Sequence, residues 1–321
     1  MKRIDVFLLG IVSILVLFGL FMIYDASSYA AFRDFGDKYH YIKDQFLWGA
    51  LGFLALIFFT LFDYHKLYNL ALPLLVISII LLILVFMPGI GVYVLGANRW
   101  INLGIFTLQP AEFTKLVLAI YLAAWFSNKE KGRFTAFLFL LGLVLVLVAL
   151  QPDMGTAIVI LAEALTIYFL SGGNIFYYVI LIPVLSVLGF IFAKIEPYRA
   201  RRLEAFLSLD KSFDSSSYHV KQILIALGSG GIMGVGLGNS LQKYAYLPET
   251  TTDSIFAIIA EELGFLGAAI VIVLFAFVAW RGLRIALRAK DNFGKLLAGG
   301  ITTFLAIQAI INFSAQTALL P

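Results

Sequence analysis

Long apolar stretches separated by short polar ones make up most of this chain. Nine of them approach the length of roughly 20 residues that an α-helix needs to cross a hydrocarbon core. They cover residues 6–24, 46–62, 69–87, 109–126, 135–150, 154–171, 175–194, 254–280 and 297–319. No soluble domain interrupts them, so the pattern predicts an all-α polytopic membrane protein with a single transmembrane domain over residues 1–321.

The composition agrees with this class and excludes several kinds of chemistry. The 321 residues are 62% hydrophobic and 13% charged, whereas a soluble domain is about half apolar and about a quarter charged. The chain has no cysteine, which excludes disulfide and thiolate chemistry. The three histidines, His40, His65 and His219, lie far apart in the sequence. Their spacing argues against a zinc or haem site.

Lysine and arginine predict the orientation, because cytoplasmic loops carry an excess of both. The net charge of +4 therefore reports orientation rather than a nucleic-acid partner. With the N-terminus in the cytoplasm, the inner segments hold Lys2, Arg3, Lys66, Lys129, Lys131, Arg133, Arg281, Arg284, Arg288, Lys290 and Lys295. Only Arg33, Lys38, Lys43 and Arg99 fall in the short outer loops. A large extracellular loop, 195–253, then joins spans seven and eight.

Two carboxylates end this large loop, at the point where the eighth span begins. A carboxylate at a membrane surface beside a glycine-rich loop is well placed to act as a general base. Asp253 also suits the N-cap of the helix that follows, because an aspartate there accepts a backbone N–H. Glu249 lies four residues earlier. From the residues alone, either carboxylate could be the base.

Further ionisable residues lie inside predicted spans, where they are costly and usually paired or functional. Glu112 and Lys115 are three residues apart and share a helix face, which suits an ion pair or, for Lys115, a contact with phosphate. The side chains of Glu261 and Glu262 point about 100° apart, so at most one can face a given cavity squarely. Glu163 lies mid-span, as a buried structural group or, alternatively, part of a proton relay.

Basic residues on the outer side could bind a phosphate-bearing lipid. Arginine binds phosphate bidentately and lysine binds it as a point charge; general attraction to anionic headgroups is the alternative. The set is Arg99, Arg199, Arg201, Arg202, Lys211, Lys221 and Lys243, with Trp100 beside Arg99 as a loop anchor. The glycine-rich stretch 228–238 contains no nucleotide-binding motif. The energy must therefore come from elsewhere, for instance from an activated substrate.

Several motifs together resemble the SEDS family (shape, elongation, division and sporulation) of peptidoglycan glycosyltransferases. In family order they are GANRWINLG at 96–104, QPAEFTK at 109–115, QPDMGT at 151–156, Arg201-Arg202, Ala205–Leu207, Ser217-Tyr218, Gln222, ALGSGG at 226–231, GVGLG at 234–238, QKYAYLPE at 242–249, Thr252-Asp253 and EELG at 261–264. The stretch from Gln242 to Glu249 looks more like the division (FtsW) branch than the elongation (RodA) branch, and the sporulation (SpoVE) branch is close to the division branch.

The resemblance implies a SEDS fold and an inverting lipid II polymerase in the bacterial cytoplasmic membrane. Asp253 matches the family's essential loop aspartate and would deprotonate the acceptor sugar on the extracytoplasmic face, with undecaprenyl pyrophosphate as leaving group. The implied partners are a class B penicillin-binding protein and other divisome membrane proteins. A divalent cation, Mg²⁺ or Mn²⁺, is a possible cofactor. Substrate-binding candidates are Arg99, Trp100, Lys115, Arg201, Arg202, Lys243 and Glu249.

The chain departs from the family pattern at two places. Thr251 and Ser254 stand where the family usually has residues such as histidine and phenylalanine, on either side of the loop aspartate. The family pattern also continues past Pro321 with a further loop and helix, so we expect nine of ten family spans here.

Two other functions fit the same residues. A lipid II flippase would use Glu112, Lys115, Glu163, Glu261 and Glu262 as a path across the membrane. A non-catalytic divisome scaffold would need no base at Asp253.

Overall fold

The structure, a computed structural model, consists mainly of helices. It describes residues 4–94, 97–104, 106–128, 133–181, 183, 215–244, 254–317 and 319. Five of the described helices are long and apolar enough to cross a membrane, and three shorter apolar helices accompany them. The prediction of a helical, multi-pass membrane protein is confirmed. The number of spans and the loop topology stay predictions.

The elements are numbered here in chain order. The helices are α1 (Val6–Phe35), α2 (His40–Leu61), α3 (Lys66–Leu84), α4 (Pro110–Ser127), α5 (Phe134–Ala149), α6 (Met154–Leu170), α7 (Ser215–Gly230), α8 (Ile255–Leu287) and α9 (Asn292–Gln316). The strands are β1 (Gly91–Val94), β2 (Ala97–Asn102) and β3 (Thr107–Leu108). The helix α1 continues well past residue 24, where the first predicted span ends. The predicted span 175–194 lies mostly outside the described residues.

A small antiparallel sheet occupies part of the loop predicted between the third and fourth spans. Its strand order is β1-β2-β3, and Val92 lies opposite Trp100 in the register. Valine, tyrosine, tryptophan and isoleucine favour strands, and they are frequent in this stretch. The strands are too short to produce a clear alternating pattern, so the sequence alone predicts only a loop here.

The chain divides into two compact units. The first contains Met1–Leu61, Phe176–Val278 and Ala309–Pro321, and the second contains Phe62–Ile175 and Ala279–Gln308. In the second unit α4 packs against α3 and α6. A Cβ atom at residue 300 would lie 2.6 Å from Ile167 Cδ1, so glycine there lets α9 lie close to α6 without displacing the Ile167 side chain. Small residues allow such close helix packing in membranes.

In the first unit α8 is broken at Gly264, whose φ of 68° and ψ of −170° are not helical. The glycine-rich segment after α7 satisfies the backbone groups that the break exposes. The N–H groups of Val235 and Gly236 donate to the Glu261 and Glu262 carbonyls, at 3.0 Å each. The Phe265 N–H donates in turn to the Gly231 carbonyl at 2.9 Å. Backbone groups in a membrane need such internal partners.

Only glycine fits at the centre of this contact. A Cβ atom at residue 234 would lie 2.1 Å from the Glu262 carbonyl oxygen, and residue 234 has a φ of +80°. The glycine-rich stretch is therefore a docking segment for the broken helix. As a result it also fixes the position of the two glutamates that come just before the break.

Candidate functional site

The structure describes seven of the predicted site residues: Arg99, Trp100, Glu112, Lys115, Lys243, Glu261 and Glu262. The other four, Arg201, Arg202, Glu249 and Asp253, lie outside the described residues, and their roles stay predictions. The described residues nevertheless reach Tyr244 on one side of this gap and Ser254 on the other. The structure therefore includes both attachment points of the segment that carries Glu249 and Asp253.

Lys243, at the first attachment point, lies in a buried charge cluster of the first unit. Its Nζ atom is 2.9 Å from Glu262 Oε1 and 3.1 Å from each carboxylate oxygen of Asp25. The side chains of Lys243, Asp25 and Glu262 are only 5%, 16% and 0% exposed. A lysine has three N–H donors. These carboxylates can take all three, which argues against the predicted contact between Lys243 and a substrate phosphate.

The charge on Lys243 is well stabilised in this cluster. Burial acts to lower the pKa of Lys243, but hydrogen bonds from its ammonium to Glu262 and Asp25 outweigh burial and raise the pKa above its usual value. Asp25 is not among the predicted site residues, because the first predicted span ends one residue before it. In the structure α1 continues through this position and places Asp25 opposite Lys243.

The neighbouring glutamates of α8 both hold the chain just before Lys243. Glu261 Oε2 accepts a hydrogen bond of 2.5 Å from Ser240 Oγ, and Glu261 Oε1 accepts the Leu241 N–H at 3.3 Å. Glu262 Oε1 accepts the Ser240 N–H at 3.2 Å. Although the two side chains point in different directions, they reach different atoms of one continuous segment. Residues 240–243 are therefore fastened to α8 at several points.

Lys115 forms a second buried site, in the second unit. The residue is 1% exposed. Its Nζ donates to Glu112 Oε1 at 2.6 Å and to Gln308 Oε1 at 2.7 Å. The ion pair that the i, i+3 spacing indicates is present, but nothing in the sequence pattern pointed to Gln308. The Glu112 side chain is 46% exposed, so this ion pair reaches the protein surface.

Glu163 lies close enough to Lys115 to interact electrostatically with it. The glutamate is fully buried, and neither carboxylate oxygen has a hydrogen-bond partner within the described part of the chain. An isolated buried carboxylate is costly. The surroundings of Lys115 thus combine one exposed carboxylate, one neutral amide and one buried acid.

Arg99 connects the small sheet to the start of α6. Its Nε and Nη2 atoms donate to the backbone carbonyls of Gln151 and Pro152, at 3.1 and 2.6 Å. Next along the chain, Asp153 caps α6 by accepting the Thr156 N–H and also accepts a hydrogen bond from Gln109. These contacts use two of the five N–H donors of an arginine. The substrate roles of Arg99 and Trp100 stay predictions.

A divalent cation would need several oxygen ligands, usually carboxylates. In the regions that the structure describes, no group of three or more histidine, cysteine, aspartate or glutamate residues could hold a metal ion. The carboxylates of Asp25 and Glu262 contact the Lys243 ammonium instead. The described residues therefore do not fit an Mg²⁺ or Mn²⁺ site.

The long apolar helices and the charged clusters within them define a multi-pass membrane protein with polar chemistry inside its helical part. The model of the family that includes FtsW, RodA and SpoVE, described as "Cell cycle protein", matches residues 5–321. This chain belongs to that family, which confirms the resemblance seen in the motifs.

Two relatives resemble the chain over almost its whole length. Stage V sporulation protein E of Bacillus subtilis (strain 168) is 38% identical, over 99% of this chain and 88% of the relative. A protein named "Probable peptidoglycan glycosyltransferase FtsW", from Trichlorobacter lovleyi, is 37% identical, over 99% of this chain and 85% of the relative. These relatives support an FtsW-like member of the family.

Solved structures share the fold. One is a chain of a peptidoglycan synthase complex studied for how it coordinates polymerization and crosslinking; it has a TM-score of 0.81 and 24% identity, covering 100% of this chain and 89% of the other. Another is the crystal structure of the rod shape determining protein RodA of Thermus thermophilus, with a TM-score of 0.70 and 23% identity, covering 98% and 85%. At these identities the likeness shows the fold alone.

Proposed function

We propose that this protein is an inverting peptidoglycan glycosyltransferase that polymerises lipid II into glycan strands during cell division. The names of its relatives support the reaction class, since several are called probable peptidoglycan glycosyltransferase FtsW. One observation carries the proposal furthest. The segment with the candidate base is attached on one side to the buried Lys243 cluster and on the other to the start of α8.

In this mechanism Asp253 is the general base. Its carboxylate removes the proton from the 4-hydroxyl of the acceptor N-acetylglucosamine. The hydroxyl oxygen then attacks the anomeric carbon of the donor N-acetylmuramic acid. The bond from that carbon to undecaprenyl pyrophosphate breaks, the pyrophosphate leaves with the electron pair, and the configuration inverts. A base needs to lie within hydrogen-bond reach of the proton it removes, which is why firm attachment of its segment matters.

The departing pyrophosphate is anionic and needs cationic groups to stabilise it. Arg99, Lys115, Arg201 and Arg202 are the candidates for this role. Among those that the structure describes, Lys115 has the partner easiest to exchange, because the Glu112 carboxylate is nearly half exposed. A phosphate oxygen could replace that carboxylate at little cost.

We further propose that the enzyme works in the bacterial cytoplasmic membrane, with its active site on the extracytoplasmic face, beside a class B penicillin-binding protein and other divisome membrane proteins. The fold supports the first partner, because a structural neighbour is part of a peptidoglycan synthase complex. The excess of lysine and arginine in the inner loops supports this orientation.

The test is polymerisation of lipid II by the purified full-length protein with its cognate transpeptidase, followed as glycan strands on a gel. Asp253→Asn should lower the rate by about a hundred- to ten-thousandfold, the usual contribution of a general base. Glu249→Gln tests the other carboxylate and should keep most of the activity. Asp37→Asn changes an aspartate between α1 and α2 whose side chain is 40% exposed, and it is the matched control. Full polymer yield from Asp253→Asn would end the assignment.

A lipid II flippase is the second candidate. The observation that favours it is Glu163 inside α6, whose carboxylate oxygens have no hydrogen-bond partner among the described residues. A flippase would move labelled lipid II across liposomes that contain only this protein. Glu163→Gln should then stop the transfer while Asp253→Asn leaves it unchanged. Loss of lipid II polymerisation in Asp253→Asn but not in Glu163→Gln would instead support the polymerase.

A further inference from the structure

The first turn of α8 takes one of its hydrogen-bond acceptors from a distant part of the chain. The first N–H groups of a helix have no partner within the helix. Here the Ala257 N–H donates to the Ser254 carbonyl at 3.1 Å. The Phe256 N–H instead donates to the side-chain oxygen Oε1 of Gln316, at 2.6 Å. Gln316 follows Phe256 by sixty residues and lies in α9.

Packing around Gln316 holds this contact in place. Gln316 is 7% exposed and Phe256 is 3% exposed, so the hydrogen bond is shielded from water. Phe313 lies one turn earlier on α9. Its ring centroid is 4.7 Å from that of Phe256 and 5.3 Å from that of Phe275. Because a backbone N–H can only donate, the atom that faces it is the amide oxygen of Gln316 and not its nitrogen.

This contact bears on the two roles that the sequence left open for Asp253. A capping side chain normally accepts the N–H of the second or third residue of a helix. Since α8 begins at Ile255, Phe256 is its second residue. Gln316 therefore supplies the acceptor that a local cap would otherwise provide. The Phe256 N–H therefore does not depend on an acceptor at Asp253, and the cap and base roles of Asp253 both stay predictions.

We propose that Gln316 is a positioning residue for the glycosyl transfer, an inference that rests on the proposed function. Its amide oxygen fixes the start of α8, and the candidate base lies two residues before Ile255 in the sequence. The Lys243 cluster holds the other end of the same segment. A misplacement of about 1 Å can cost roughly a hundredfold in rate, even when the mutated residue lies away from the chemistry.

The test depends on whether residue 316 can accept a hydrogen bond. Gln316→Met keeps the length and removes the acceptor. Gln316→Glu keeps an acceptor oxygen at the same distance, and a negative charge suits the N-terminus of a helix. The control is Asn312→Leu, which removes an exposed amide one turn earlier on α9. All variants are full-length and are assayed for lipid II polymerisation with the transpeptidase present.

We expect Gln316→Met to lower kcat by about ten- to a hundredfold while the KM for lipid II changes little. Gln316→Glu should stay within about threefold of the original kcat, and Asn312→Leu should match it. An unchanged kcat in Gln316→Met would overturn the proposal. Equal losses in Gln316→Met and Gln316→Glu would overturn it too, because the acceptor would not be the feature that matters.

Amide hydrogen exchange supplies an independent readout. Residues 255–258 should exchange faster in Gln316→Met than in Asn312→Leu, while α4 exchanges equally in both; equal exchange at 255–258 counts against the proposal. If Gln316→Met does not fold, Gln316→Asn replaces it, because its amide is one methylene too short to reach Phe256. Activity in Gln316→Glu with a loss in Gln316→Asn supports the proposal, and equal activity overturns it.

Failure of the proposed function gives a different result. In that case Asp253→Asn remains as active as the original protein, or the original protein does not polymerise lipid II at all. If only the positioning inference fails, Asp253→Asn is inactive while Gln316→Met is fully active.

Discussion

Lys243 and Lys115 are both buried lysines, but their partners differ in charge and in exposure. Lys243 contacts two carboxylates, of which Glu262 is 0% exposed and Asp25 is 16% exposed. Lys115 contacts one carboxylate, Glu112, whose side chain is 46% exposed, and one neutral amide, Gln308. Both ammonium groups are thus paired, but Glu112 is much more exposed than either partner of Lys243.

This difference separates a structural lysine from one that can exchange its partner. Removing a buried charge from water is costly unless its partners compensate it well. Lys243 has that compensation, and exchanging a partner would leave a buried carboxylate unpaired. Glu112 has a 46% exposed side chain, so exchanging it for another anion would leave no fully buried charge unpaired. The comparison therefore supports a structural role for Lys243 and is consistent with the proposal that Lys115 contacts the substrate.

The largest effect on stability should come from Lys243→Met. This change leaves Asp25 and Glu262 buried without their counter-charge, and breaking a buried ion pair by removing one partner costs about 3–5 kcal/mol. The free energy of unfolding in detergent is the measurement. Adding Glu262→Gln to Lys243→Met should recover part of the loss, since it removes one of the stranded charges.

Lys43→Met is the matched control. Lys43 also pairs with an aspartate, Asp37, at 2.6 Å, but its side chain is 67% exposed. Because exposed ion pairs contribute little, no measurable loss of stability is expected there. Equal losses in Lys43→Met and Lys243→Met would mean that burial does not distinguish the clusters.

The next largest effect should be on substrate affinity, at Lys115. A hydrogen bond to a charged group contributes about 1.5–3 kcal/mol, so Lys115→Met should raise the KM for lipid II by about ten- to a hundredfold. Glu112→Gln frees the ammonium from its competing carboxylate and should lower the KM. Steady-state polymerisation kinetics measure both.

Gln308→Leu is the control for Lys115→Met, because it removes the neutral partner of Lys115 and leaves all charges in place. Its KM should stay near the original value. The comparison between the two lysines breaks down if Lys115→Met leaves the KM unchanged, or if Glu112→Gln raises it as much as Lys115→Met does.

The helices were predictable from sequence because each is a long apolar run. The ends of the helices were less predictable. Asp25 follows the apolar core of α1, and only the structure shows that this helix continues to Phe35. The broken helix was missed for another reason. A glycine inside an apolar run does not reveal whether another segment docks against it, as residues 231–236 do at Gly264.

The candidate site was predictable in its residue types but not in its partners. Glu112 and Lys115 could be paired from their spacing, because residues three apart on a helix are neighbours. Lys243 and Asp25 are 218 residues apart, and Lys115 and Gln308 are 193 apart. Tertiary packing alone sets such contacts. Gln308 and Gln316 were missed because an amide in an apolar helix has no charge that demands a partner.

The hydrogen bond between Tyr64 and Asp291 is less buried than the Lys243 cluster and should show the smallest effect on stability. Tyr64 lies between α2 and α3 and donates from Oη to Asp291 Oδ1 at 2.5 Å. Burial, followed by the hydrogen bond to Asp291, raises the pKa of Tyr64 to about 12. Burial opposes the change at Asp291, but hydrogen bonds from Tyr64 and Gly294 lower the pKa of Asp291. Tyr64→Phe should cost about 1 kcal/mol at neutral pH.

The pH dependence of this cost identifies its source. An unfolded tyrosine ionises near pH 10, so the contribution of Tyr64 is complete below about pH 10 and is lost as the pH rises toward 12. The contribution of Asp291 is complete above its unfolded pKa of about 4 and is lost as the pH falls through its lowered pKa. The stability difference between the original protein and Tyr64→Phe should therefore be constant from pH 6 to 9 and shrink above pH 10, as thermal unfolding in detergent can measure.

Tyr93→Phe, at a residue that is 71% exposed, is the control and should show no difference. A cost for Tyr64→Phe that exceeds that of Lys243→Met would contradict the ordering by burial.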